Sequence, residues 1–223
     1  MTTGWKYGKI LKERLMTLEE PGKPLPFDAD KGLVEEITKK FDIAAFAKSL
    51  QGKDETEAYK ALEELGKEVM KLTLELADTK YTDRTGEMVE KVYKQTGISF
   101  PHRLCRYIEL SIFGLRPADR WNISRATTRE LVLQVSACAV HKALSEAGIK
   151  GLPCEGFCLA SFEAAAEKTG DRINTDMPKA LPRDGMCEYH ILPETESPSH
   201  SNSTGGPGRT NADYRAYSCS GEA

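Results

Sequence analysis

The sequence predicts an α+β protein: a helical N-terminal region, then a helix-backed antiparallel sheet closed by a C-terminal hairpin. Three observations predict it. Ala58, Leu62, Leu65, Val69, Leu72 and Leu76 recur every three or four residues, which puts them on one stripe of a helix running from about Asp54 to Asp78. After Gly170 the pattern changes, and residues 172–181 and 186–192 are β-capable runs. Between those runs stands Pro182-Arg183-Asp184-Gly185, whose Asp-Gly pair is a hairpin signal.

The chain has 223 residues, enough to bury a sizeable core as one medium domain or two small ones. With 31 Lys and Arg against 34 Asp and Glu, the net charge of −3 lacks the basic excess of a nucleic-acid binder. No run approaches the apolar length of a membrane-spanning helix, so no membrane partner is expected. The opening MTTGWKYGKILKERLM has neither an apolar core nor a cleavage site of small residues. The expected compartment is therefore the cytoplasm.

In chain order, residues 3–19 read as a first helix and the proline-bearing PGKPLPFDAD (21–30) as a loop. Residues 31–49 read as a second helix. Asp54 and Glu57 stand at capping-box spacing at the head of the 54–78 helix. That helix reads chiefly as a packing stripe, and the N-terminal helices leave room for a homo-oligomer. Another helix is expected over 83–96, stopped by Gly97. The aromatic stretch that follows reads as core around Phe100, Leu104, Tyr107 and Ile108. Its His102 and Arg116 are candidates for an anionic ligand, and the other arginines are expected to be solvated or paired with acids.

Thr127 and Glu130 form a capping box, which predicts a helix through LVLQVSACAV to Ala147, stopped at Gly148. Cys138 and His141 would then share a helix face. Pro153 opens the next helix, which carries Cys154 and Cys158 and ends near Gly170. On the last strand, Cys187, Tyr189 and Ile191 take the inward face, and Glu188, His190 and Leu192 the other. These boundaries divide the chain into a mainly helical region (1–119), a cysteine-bearing α+β region (120–193) and a Ser/Gly/Asn/Pro-rich tail (194–223) that reads as disordered.

Four of the six cysteines fall between residues 138 and 187. Two chemistries suit them. Cys138, Cys154, Cys158, Cys187 and His190 are thiols and an imidazole that can ligate zinc or iron. Alternatively, Cys154 at a helix N-terminus is a nucleophile, its thiolate favoured by the helix dipole, with Cys138 as a further catalytic candidate and His141 or His190 as base. Cys105, in the aromatic stretch, reads as core packing. Cys138, Cys154 and Cys187 sit on consecutive elements and are expected to converge.

The series Cys138 … Gly148 … Cys154/Cys158 … Phe162 … Leu181-Pro182-Arg183-Asp184-Gly185 … Cys187-Glu188-Tyr189-His190-Ile191 resembles the L-2-amino-thiazoline-4-carboxylate hydrolase-like family over about residues 120–193. That family is related in shape to the 4-vinyl reductase and trafficking-subunit domains, which are ligand-binding modules. The resemblance implies a hydrolase that opens a small cyclic amidine carboxylate. A thiolate or an activated water would attack the amidine carbon while a histidine moves the proton. The alternative is a non-catalytic sensor that binds a small molecule or a metal in a cysteine-lined cavity.

Overall fold

The computed structural model describes residues 31–81, 94, 100–115 and 119–194. The expected helices over 3–19 and 83–96, the loop over 21–30, Arg116 and the tail beyond Glu194 lie outside the described residues. An α+β fold is observed. In chain order the elements are α1 (Lys31–Lys40), α2 (Ile43–Ser49), α3 (Glu55–Thr79), α4 (His102–Leu115), β1 (Arg120–Ala126) and β2 (Leu131–Ala137). There follow α5 (Ala139–Glu146), α6 (Glu155–Thr169), β3 (Ile173–Lys179), the single turn α7 (Leu181–Asp184) and β4 (Cys187–Pro193).

Asp residues set the starts of the early helices. The Asp54 carboxylate accepts from the Glu57 amide at 2.8 Å and so caps α3 at the place the sequence predicts. Asp42 does the same for α2 through the Ala45 amide at 3.0 Å. That second cap explains why residues 31–49 form two helices rather than one.

The four strands form one antiparallel sheet in the order β1-β2-β4-β3. The hairpin β1–β2 corrects the expectation of a helix from Thr127 to Ala147. Thr127 Oγ1 does accept from the Glu130 amide at 3.0 Å, as a capping residue would. But the Thr127 amide also donates to the Glu130 carbonyl at 2.8 Å, and this closes the chain back on itself. Leu131, Leu133 and Val135 then alternate inward, opposite Ile191, Tyr189 and Cys187. A short apolar run rich in Val fits a strand as well as a helix, and here partner strands on both sides decide it.

β3 and β4 pair as the hairpin signal predicts, although their connection includes a helical turn rather than a two-residue loop. Gly185, at φ 73°, ends that turn in the left-handed region, where a side chain would be strained.

α6 is the central helix. It buries residues on nearly every face, as a helix inside a layered core must. On one side its Phe162 meets Tyr189 of the sheet edge to face, with ring centroids 5.2 Å apart. On the other side it packs against α3. A Cβ on Gly66 would lie 2.2 Å from the Phe157 carbonyl oxygen, so only glycine allows this approach. Ser161 Oγ bridges the two helices by donating to the Gly66 carbonyl at 3.0 Å.

The α3 stripe is therefore covered from within the chain: Leu62, Leu65, Val69 and Leu76 are all buried. At the far end of α3, Asp78 accepts from the Tyr107 hydroxyl at 2.8 Å. Asp78 also lies 3.6 Å from Arg106 and from Lys168, which joins α3 to α4 and α6. Arg103 donates to the Thr169 carbonyl at 3.2 Å. These arginines thus serve the fold. Among the described residues, no helix is long and apolar enough to cross a membrane.

Candidate functional site: a buried thiol cluster

Three connections meet at one end of the inner sheet face, and each brings a cysteine. Cys138 ends β2 and caps α5 in an extended conformation, with its Sγ accepting from the His141 amide at 3.5 Å. It is thus the residue before α5, and its link to His141 runs through that residue's backbone, not through a shared helix face. Cys154 is the residue before α6, and Cys158 lies one turn into it. Cys187 opens β4, opposite Val135 of β2, and its Sγ accepts from the Leu181 amide at 3.3 Å.

The Phe162–Tyr189 contact places α6 against β4. One helical turn back from Phe162 is Cys158, and one inward position back from Tyr189 is Cys187. Cys158 and Cys187 thus lie on the two elements that this contact joins. Electrostatics agree. Burial pushes the Cys154 thiol well above its ordinary range, and Cys138, Cys158 and Cys187 push it the same way, Cys138 most of the three. Cys154, Cys158 and Cys187 are buried and Cys138 is half-buried.

The direction of that shift corrects one expectation. A helix N-terminus carries roughly half a positive charge, which favours a thiolate. Here loss of water and three neighbouring thiols outweigh it, with a smaller contribution from Glu155. Cys154 is a protonated, inward thiol.

The two histidines stand apart in different ways. His141 is half-buried on α5, and among the described residues its imidazole makes no hydrogen bond or ion pair. His190 lies on the opposite sheet face from Cys187. Its Nδ1 is 3.1 Å from Glu130 and its Nε2 3.4 Å from Glu188. Around it runs a charged chain that sequence reasoning missed, because β1 and β2 were not read as strands. Arg125 pairs with Glu130 at 2.6 Å, and Gln134 and Lys179 reach Glu188 at 2.7 and 3.2 Å. Among the described residues, no group of three or more His, Cys, Asp or Glu side chains is placed to hold a metal ion.

A separate surface groove of about 400 Å³ runs between α3 and α6, lined by Lys67, Lys71, Glu163, Ala164 and Glu167.

No family model matches the chain, and no curated protein matches it. Among solved structures it is similar to an H-NOX chain from work on the molecular mechanism of H-NOX activation, at 9% identity, covering 85% of this chain and 89% of that chain, with TM-score 0.32. It is likewise similar to one from work probing heme distortion in the H-NOX family, at 10% identity, covering 90% and 92%, with TM-score 0.31. Likeness at this level carries neither a fold nor a ligand to this chain.

The resemblance to the L-2-amino-thiazoline-4-carboxylate hydrolase-like family is not upheld: no family model and no curated protein matches the chain. The ring-opening hydrolase reading falls with it. Burial of Cys154 also removes the thiolate that a nucleophilic attack would need.

Proposed function

We propose that the chain is a non-catalytic sensor domain that binds a small ligand at the thiol cluster. The observation that supports this is that Cys138, Cys158 and Cys187, from three connections, all act on the Cys154 thiol, which burial pushes above its ordinary range. Thiols that are inward and protonated are poor attacking groups but a soft, polarisable lining. A ligand held there touches the β2–α5 junction, the start of α6 and the β3–β4 connection together. Binding would couple these elements, which is what sensing requires.

Phenylarsine oxide, which condenses with two neighbouring thiols and releases water, probes the reading. The reduced full chain should take up one equivalent and melt at a higher temperature. Cys154→Ser should abolish this uptake, and Cys105→Ser should leave it unchanged. Equal uptake by wild type and the Cys154→Ser variant would overturn the proposal.

A further inference from the structure

We propose that the groove between α3 and α6 docks a second copy of this chain, with α3 of each copy lying over α6 of the other.

The two helices run side by side in the same direction. The Tyr59 ring lies against Gly156 near their starts, Ser161 Oγ donates to the Gly66 carbonyl further along, and Lys168 lies 3.6 Å from Asp78 near their ends. The surface groove between them has the buried Ala164 as its floor and two charged rims. Lys67 and Lys71 stand one turn apart on α3, and Glu163 and Glu167 one turn apart on α6. One rim is therefore basic and the other acidic. All four residues are exposed. None of the four side chains makes an ion pair or a hydrogen bond among the described residues, so the rims do not close on each other.

Such a groove complements itself. A two-fold axis along it carries the basic rim of one copy over the acidic rim of the other, on both sides at once. Each copy's lysine pair then faces the other copy's glutamate pair. An axis across the groove would instead set lysine against lysine. A partner of a single charge meets repulsion at one rim, whereas a second copy meets attraction at both. Exposed ion pairs are individually weak and screened by salt, and no large apolar side chain lines the groove, so the dimer is a transient one.

The test is sedimentation of the full chain at low ionic strength, from micromolar concentrations to about 1 mM. Wild type should pass from monomer to dimer across this range. Raising the salt from about 0.02 to about 0.5 M should weaken the association ~10-fold or more. Lys67→Glu with Lys71→Glu makes both rims acidic, and Glu163→Lys with Glu167→Lys makes both basic. Each of these variants alone should stay monomeric, and an equal mixture of the two should form a one-to-one dimer. All four substitutions together exchange the rims and should restore self-association, a rescue that a misfolded variant could not give.

A wild type that stays monomeric throughout would overturn the proposal, whatever the mixture does. So would a dimer that neither pair of substitutions weakens, a mixture that does not associate, or a rim-exchanged chain that stays monomeric.

Discussion

Phe162 of α6 and Tyr189 of β4 meet edge to face across the core, with centroids 5.2 Å apart and planes at 89°. This pair holds the central helix on the sheet. An edge-to-face pair contributes about 0.5–1.5 kcal/mol beyond the area it buries. In a double-mutant cycle with Phe162→Leu and Tyr189→Leu, the coupling measured by urea denaturation should fall in that range. Strictly additive losses would show that the rings only fill space.

Gly66 makes a second contact of the same helix testable. In an exposed helix, Gly→Ala gains about 1 kcal/mol. At Gly66 the new methyl would meet the Phe157 carbonyl oxygen at 2.2 Å, which is backbone and cannot swing aside. Gly66→Ala should therefore destabilise, by about 1–3 kcal/mol or more as α3 and α6 separate. The sign decides the matter: a stabilised variant would mean that the helices do not approach this closely.

Much of this architecture was legible in the sequence, and the failures share one cause. The α3 stripe and its Asp54 cap, the β3–β4 hairpin and the inward set Cys187, Tyr189 and Ile191 rest on local signals that tertiary contacts reinforce. The β1–β2 hairpin does not. Thr127 and Glu130 make the same side-chain bond in a tight loop as at a helix start, and Leu131 and Val135 match either period. Only pairing with β1 and β4 selects the strand, and that pairing is non-local. The Arg125–Glu130–His190 chain was hidden for the same reason. At the cysteines, the protonation of Cys154 depends on burial, which spacing does not report.

The outer sheet face should titrate in acid. The Gln134 amide holds the Glu188 carboxyl below the usual range, with Lys179 and His190 acting the same way and partial burial opposing them. A depressed folded-state pKa means that the native state holds the carboxylate more tightly than the unfolded chain does. The resulting stability is present above the unfolded value near 4.5 and is lost as pH falls through the folded one. Denaturation midpoints followed from neutral pH into this window should fall less steeply for Glu188→Gln than for wild type. Parallel curves would show that the Gln134 and Lys179 contacts do not persist in solution.

Cysteine reactivity should follow burial rather than helix position. Cys138 is half-buried, whereas Cys105, Cys154, Cys158 and Cys187 are buried. Alkylation needs both a thiolate and access, and Cys154 has neither while the core is closed. With iodoacetamide on the native reduced chain, followed by peptide mass spectrometry, Cys138 should label first among these five. The others should label only through opening of the core, so their rates should rise together with sub-denaturing urea, as the open population does. Destabilising the core, as Gly66→Ala should, must then speed Cys154 and Cys158 while leaving Cys138 nearly unchanged. If Cys154 labels as fast as Cys138 in the absence of urea, its thiol is accessible and ionised, and the binding reading gives way to a nucleophilic one.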